Sequence, residues 1–571
     1  MKKTGLFLIL ALLLPALLAS CSFIGRNDPG TSADGSAVPE DPTETASQTT
    51  SSYLTLVEGK TTDYRLYSTL DASETDRFAS LFASKTGATL KKTDDPEAGK
   101  VIRVGNMEDF SLPPAYTGWY FDVSGERITI ALGSRSLSTA KTVWDKALGS
   151  FFSRLQKTKN NEWVLSANLN DSGDLTGIAE VVPMLEIGQE HYVGTYDCGA
   201  GYYQVTYERI TSFDTMKAYV RQLKAEGYAQ HSENAINGNR FATYVKDGAK
   251  VHMTWFKSKG VFQIEYGKTG YLPPKEAPTD YQKVATPSVA QMKLTETGLS
   301  MVFQCEDGSF VIVDGGADGE ENRQVLWNYL VSRLPAGETK PRVTWIITHI
   351  HGDHIGMIPT FLAEHRNDMI LSLAAYRFPN FESTKFQSEE TGNYNQIAND
   401  LAQAFAGNFP QTPVWSFNTG DQLLLPGGKI EFLYTHPNMY PTDLSWVNDS
   451  SSVFCVTLAG KTTMVFGDAE NLESYQIYKV YGSTLKSDVM QVPHHGAGTS
   501  SWALYSAVDP SICLWSVSKE KFENDPRMLG TQMGMSYNTK LRDPAYGERS
   551  HYHESQVTVI ELPDFTVTVL P

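Results

Sequence analysis

Cysteine is scarce in this chain: there are five in 571 residues, and no two form a CxxC pair. That excludes a disulfide-framed scaffold, a cysteine zinc finger and a dithiol redox centre. Beyond Cys21, the remaining Cys198, Cys305, Cys455 and Cys513 are far apart. They read as small buried residues, and no disulfide is assigned. Positive charge is also short. Lys and Arg total 48 against 65 Asp and Glu, for a formal net charge of −17. This disfavours a polyanion held by bulk electrostatics and leaves open only a local basic cleft. Long apolar runs are missing as well: the stretch Leu6 to Leu18 is too short to span a bilayer well. No solenoid-type repeat is present, and no Ser-His-Asp or Cys-His arrangement is signalled. The length exceeds one ordinary core, so two to four domains are expected.

Lys2 and Lys3 precede the apolar run, as in a secretory signal. The run ends in Leu18-Ala19-Ser20-Cys21, which resembles the bacterial lipobox. The resemblance implies a lipoprotein signal peptide over 1–20 and lipidation of Cys21. The protein would then be anchored to a membrane of the bacterial cell envelope, outside the cytoplasm, without crossing it. The alternative is an ordinary signal peptide with an incidental cysteine. Residues 21–53 are rich in Ser, Thr, Asp, Gly and Pro and read as a flexible linker.

Residues 54–170 read as an accessory α/β domain. Phe78, Leu81 and Phe82 fall at helical spacing, with Gly87 as a stop. Val101–Gly105 reads as a strand and Trp119–Val123 with Arg127–Leu132 as a hairpin. An apolar stripe from Val143 to Phe152 marks a second helix. The order resembles the small domain that precedes some glycoside hydrolase barrels, but no clustered acid pair signals catalysis here. Residues 180–275 read as a small α+β domain, with strands at Tyr203–Glu208, Arg240–Lys246, Val251–Lys257 and Val261–Tyr266. Its helix is expected to be capped by Ser212 and to run to Gly227. His231 and His252 lie here without ligand-like company. A linker around Leu272–Pro278 leads to a larger α/β domain over 285–571.

The chemistry concentrates in His349-Ile350-His351-Gly352-Asp353-His354. The preceding Arg342–Ile347 reads as a buried strand. On a helix the four side chains would point all round the axis, and on a strand position 354 would turn away from 349, 351 and 353. A tight loop lets all four converge, with Gly352 permitting the bend. Imidazole nitrogen and carboxylate oxygen suit zinc and its neighbours.

Thr348 to Gly356 matches the HxHxDH signature of the metallo-β-lactamase fold superfamily. Phe310–Gly316 is similar to its strand ending in Asp-Gly, Met464–Asp468 to its later strand ending in Asp, and Val492–Gly496 to its last histidine motif. The resemblance implies a multidomain chain in which a C-terminal αββα sandwich follows the two small α/β and α+β domains. It also implies two divalent cations, Zn2+ first and Mn2+ or Fe2+ as alternatives. His349 and His351 would hold one; Asp353, His354 and His495 the other; Asp468 would bridge them, unless it only caps the following helix. Asp314 would orient the histidine loop, and Asp353 and His494 would serve catalysis, His494 by donating a hydrogen bond or proton. Many members carry a further His between these motifs. Here the candidates are His436 and the Asn448-Asp449 loop, the latter resembling the branch of the competence protein ComEC. His551 and His553 would line the cleft or form an exposed pair, and Ser500 and Ser501 contact substrate or cap a helix.

The expected activity is therefore a surface-anchored binuclear metallohydrolase acting on phosphoester or phosphodiester bonds, the cations lowering the pKa of water to about 7 so that hydroxide attacks at neutral pH. Its substrate would be a small molecule or a cell-envelope polymer. An extracellular nuclease is the nearest rival, although nucleic acid is not favoured by charge. A surface binding protein with a vestigial metal site is the reading from another class, and a β-lactamase the remotest.

Overall fold

The computed structural model describes residues 53–110, 119–124, 126–132, 140–153, 155–166, 185, 191–198, 201–381, 393–439, 447–497, 500–529 and 536–570. The signal segment, Cys21 and nearly all of the linker lie outside the described residues. Among the described residues no helix is long and apolar enough to cross a membrane.

The first region builds a five-stranded sheet in the order Lys91–Lys92, Arg65–Ser68, Val101–Asn106, Arg127–Leu132, Trp119–Ser124, the last two antiparallel as expected. Helices Ala72–Thr86 and Ala140–Ser153 bury Phe78, Phe82, Trp144 and Phe151 against Ile102, Val104, Ile128 and Ile130. Asp71 caps the first helix through the Glu74 amide, and Gly87 ends it in the left-handed conformation. Tyr53–Glu58, Glu162–Ser166 and Leu155–Lys157 form a separate three-stranded sheet.

The middle region is a six-stranded antiparallel sheet carrying helix Asp214–Ala225. Its order is Ala229–Ile236, Asn239–Lys246, Ala249–Phe256, Val261–Lys268, Tyr203–Tyr207, Tyr192–Asp197. Ser212 falls one residue short of the cap it was expected to supply. Phe213 is the cap residue, and the Ser212 hydroxyl accepts from the Asp214 amide instead.

From Ser288 onward two sheets pack face to face. The first runs Val414–Trp415, Ile370–Tyr376, Arg342–Ile347, Phe310–Val313, Met301–Gln304, Ser288–Gln291, Val557–Glu561, Thr566–Leu570. The second runs Gln422–Leu425, Gly428–Tyr434, Val453–Leu458, Lys461–Val465, Val489–Gln491, Ile512–Trp515, Ser550–His553. Alternation along each strand builds the layers. Val311, Val313 and Ile346 join Phe432, Phe454 and Val465 between the sheets. Phe310, Ile312, Val343, Trp345 and Ile347 turn outward, under helices Glu320–Ser332, Ile358–His365 and Tyr394–Asn408. Met464, Met490 and Cys513 turn outward from the second sheet, under helices Asn471–Tyr481 and Trp502–Val508. The result is the α-β-β-α layering expected for this region. Cys198, Cys305 and Cys513 are buried and Cys455 half-buried, as small core residues should be.

The middle region is docked on this sandwich. Phe241 and Phe256 enter the core outside the second sheet. Gly420 is required at the contact: its φ is +90°, and a Cβ there would lie 2.0 Å from the Phe241 ring. His252 is an interior residue, its ring bonded to Thr243 Oγ1 at 2.9 Å and to the Thr419 carbonyl at 3.0 Å.

Candidate metal centre

Within each sheet of the sandwich one group of strands runs parallel, and the loops at their carboxyl ends carry the candidate residues. Asp314 follows Phe310–Val313, and the histidine loop follows Arg342–Ile347. Asp468 follows Lys461–Val465, and His494 and His495 follow Val489–Gln491. Asp314, His494 and His495 have φ of +55°, +49° and +53°, which non-glycine residues adopt only where the surroundings enforce it. Gly496 beside them is held at +79°, and a Cβ there would be 2.3 Å from the Trp515 ring.

Two groups of ligand atoms form. Asp353, His354, Asp468 and His495 make one, and His349, His351 and Asp468 the other, the atoms of each lying within 4.8 Å of one another. Asp468 stands between them. Its Oδ1 is 3.1 Å from His354 Nε2, while its Oδ2 is 3.2 Å from His495 Nε2 and 3.9 Å from His349 Nε2. Asp353 Oδ2 is 3.2 Å from His495 Nε2. Asp468 is not a helix cap; Glu470 occupies that position.

These residues fit a pair of cations. His354 Nε2 and His495 Nε2 face each other at 3.2 Å, and His349 Nε2 faces His351 Nδ1 at 3.1 Å. In each pair two ring nitrogens are brought face to face, as two ligands of one cation are. Asp468 Oδ1 is buried and accepts no hydrogen bond. Such atoms are costly to bury without a partner, and cations held at these two points would satisfy all of them. Nitrogen and carboxylate donors suit zinc, manganese or iron.

Asp314 lies beneath the histidine loop. Its Oδ2 accepts from His354 Nδ1 at 2.7 Å, which leaves Nε2 pointed at the cluster. The Thr348 amide and hydroxyl donate to the same carboxylate at 2.8 and 2.6 Å, so the start of the histidine loop is fixed too. Ser516 Oγ lies 3.2 Å from His495 Nδ1, and Ser451 Oγ accepts from the Asp468 amide at 3.0 Å.

His494 stands beside the groups, its Nε2 4.0 Å from Asp468 Oδ2. Its Nδ1 is 3.3 Å from Glu470 Oε1. Asn448 Nδ2 donates to Glu470 Oε1 at 3.0 Å and reaches His494 Nε2 at 3.2 Å. The carboxylate therefore holds the proton on Nδ1 and fixes the Asn448 amide with its N–H toward Nε2. Burial pushes the His494 pKa down to about 4, against the pull of Asp468. Asn448 is the partner of His494, and Glu470 is the residue of this site that the sequence did not single out. Its signal was an acid two positions past Asp468.

The other candidates fall outside the two groups. His436 is buried at the start of helix His436–Met439. The Asp449 carbonyl accepts from the Tyr434 hydroxyl at 3.2 Å. Ser501 caps helix Trp502–Val508, and Ser500 Oγ donates to the Ala469 carbonyl at 2.7 Å, tying the Asp468 loop down. His551 and His553 lie on one side of their strand near Phe522, half-buried.

Burial opposes charge on His495, but Asp468 and Asp353 outweigh it and push its pKa up to about 9. At pH 7 the metal-free ring is thus protonated, whereas a ligand must be neutral. Metal uptake is expected to release protons and to tighten as pH rises towards about 9. Calorimetric titration in two buffers of different ionisation enthalpy checks this, and identical heats would contradict it. His351→Ala should remove about one of two bound equivalents, since it strips only the group it shares with His349 and Asp468; plasma emission spectrometry reads the count.

Residues 295–456 match the metallo-beta-lactamase superfamily model. The domain in which they lie is a metallo-beta-lactamase superfamily domain. The histidine loop lies within the matched residues, and Asp468 and His495, which complete the two ligand groups, follow them in the same sandwich. No curated protein matches the chain. Among solved structures, the chain is similar to the diiron beta-hydroxylase CmlA of Streptomyces venezuelae at 14% identity and a TM-score of 0.31, over 50% of this chain and 55% of that one. The match therefore spans about half of the hydroxylase. A long form RNase Z from yeast is similar at 10% identity and a TM-score of 0.24, over 41% of this chain and 37% of that one. A flavoprotein of Thermotoga maritima follows at 11% identity and a TM-score of 0.18, over 45% and 51%.

Proposed function

We propose that this chain is a lipid-anchored, extracytoplasmic hydrolase of phosphoester bonds, phosphodiesters above all. The observation that carries the reading is the place of Asp468 between two groups of ligands. His349, His351, Asp353, His354, His495 and the shared Asp468 would hold two cations side by side, which would supply charge stabilisation for the attacking and leaving oxygens of an in-line displacement, the need that a phosphoester poses most sharply. The residues around the pair supply the rest. His351, Asp353 and His494 are the cluster residues that reach solvent, so a substrate would approach over them. His494, with Nδ1–H towards Glu470, is set to take a proton from water or a substrate hydroxyl that displaces the Asn448 amide from Nε2. Glu470 then stabilises the imidazolium that forms, and Asn448 keeps the ring from turning. The similarity of the Asn448 loop and of His494-His495-Gly496 to the ComEC branch supports the same choice of bond. The Lys2–Cys21 segment supports the anchor, and Cys21 would carry the lipid.

Metal-loaded protein offered phosphodiester, phosphomonoester, phosphocholine, lactone and β-lactam probes side by side should turn over the phosphodiester fastest. A lactone or β-lactam in first place would end this reading.

A further inference from the structure

A cavity of about 570 Å3 opens one strand away from the metal centre. Tyr376, on its wall, pairs in register with Ile347, two residues before His349. A second link runs through rings: Phe381 lines the cavity and packs on Tyr394 at 5.8 Å, and Tyr394 packs on His351 at 6.3 Å. The volume is that of a small-molecule site.

Its chemistry differs from that of the metal centre. Tyr376 and Phe378 stack at 5.0 Å and present aromatic surface, with Tyr203 contributed by the middle region. Asn380, Asn395 and Asn399 add three amides, the last two one turn apart on helix Tyr394–Asn408. Arg377 is the one charged side chain among the described lining residues, and it is engaged. It is 2% exposed, donating to Glu265 at 2.6 Å and to Ser416 Oγ at 2.9 Å. Its Nε is buried without a partner; apart from that guanidinium the lining is uncharged, aromatic and amide-rich. Amides both donate and accept, as sugar hydroxyls do, while aromatic faces match the apolar C–H faces of a pyranose. A nucleobase also stacks, but the deficit of positive charge disfavours nucleic acid as the source.

We propose that this cavity is the subsite for a neutral carbohydrate unit of the substrate, so that the bond cleaved is a glycosyl-linked phosphoester. This rests on the phosphoester reading above. A glycan would sit between Tyr203, Phe378 and the helix amides, with the buried Phe381 and Tyr394 rings between it and His351.

Saturation-transfer NMR on the full chain, with N,N′-diacetylchitobiose, maltose and adenosine as probes, tests the assignment. At least one disaccharide should receive saturation. Its Kd should rise about ten-fold or more in Asn395→Ala/Asn399→Ala and in Phe378→Ala. The double variant keeps the test alive if Phe378→Ala fails to fold, because Asn399 is exposed and Asn395 only half-buried. No transfer to any disaccharide, transfer to adenosine alone, or an affinity unmoved in the folded variants would overturn the subsite. Turnover of bis(p-nitrophenyl) phosphate by zinc-loaded wild type is measured in parallel. Sugar binding without that turnover defeats the phosphoester reading and leaves the sugar cavity standing; turnover without sugar binding defeats the cavity alone.

Discussion

Asp468→Asn should lower hydrolysis about 10³-fold or more while leaving the chain folded. The carboxylate is 2% exposed, so nothing but its neighbours satisfies it. Both its oxygens face imidazoles, His354 on one side, His495 and His349 on the other. The amide of Asn keeps one oxygen but turns an NH2 towards one of the two ligand groups. That end can no longer bind a cation, and the loss of charge weakens the other. The fold should survive because the main-chain position is held independently: the Asp468 amide donates to Ser451, and Ser500 holds the next residue through the Ala469 carbonyl. Removing the negative charge also takes away the largest force that favours protons on His354 and His495 in the metal-free chain. The variant should therefore bind less metal and show a weaker pH dependence of what it does bind. Activity, metal count and melting temperature measured together decide the matter; a folded variant that keeps most of its activity would remove Asp468 from the bridging position.

Much of this centre was legible in the sequence because its ligands are grouped in short runs. His349, His351, Asp353 and His354 occupy one loop, and a buried apolar strand on their N-terminal side announces where that loop must sit. Asp468 and His494-His495 repeat the pattern, the first after Met464-Val465-Phe466 and the second after Val489-Met490. The alternation of strands and helices gave only a larger α/β domain over 285–571; the α-β-β-α layering came from the resemblance that these motifs carry. What stayed hidden depends on contacts between distant residues. Glu470 acquires its role only when folding brings Asn448 and His494 to it, and in sequence it is one of several acids opening a helix. Strand Ala229–Ile236 was missed because its residues, Gln230, His231, Ser232, Glu233 and Asn234 among them, carry no apolar alternation. It forms because it can pair with Asn239–Lys246, whose own pattern is strong. The docking of the middle region was invisible for a similar reason. His252 looked like an ordinary histidine, and only the fold shows that its ring is clamped between Thr243 and the Thr419 carbonyl.

That docking rests on a buried charge cluster, and breaking it should have the largest effect on stability of any single change outside the metal centre. Glu265 is 1% exposed and accepts from Arg377 at 2.6 Å and from Asn438 at 3.1 Å, with Lys250 Nζ at 3.7 Å. Burial works against its charge, but Arg377 and Lys250 prevail and hold its pKa below the ordinary carboxylate value. Lys250 and Arg377 also flank the Tyr202 ring, at 4.6 and 5.1 Å from its centre. Glu265→Ala would leave two cations buried without their counter-charge, a loss of about 3–5 kcal/mol. The depressed pKa sets the sign with pH: the contribution is present above the unfolded value near 4.3 and is lost as pH falls through the lower folded value. The consequence should reach the metal centre. Asn438 also accepts the Thr435 hydroxyl at 2.8 Å and the Thr419 amide at 3.0 Å, and Tyr434 beside it donates to the Asp449 carbonyl in the loop that carries Asn448. Hydrogen exchange over residues 249–268 and 416–439 should therefore quicken by about 10² or more in Glu265→Ala, with a smaller rise over 447–450. Arg377→Met combined with Glu265→Leu, which removes both charges together, should recover part of the protection. Exchange in Glu265→Ala equal to that of wild type would mean that apolar contacts such as Phe241 on Gly420 hold the two regions together unaided.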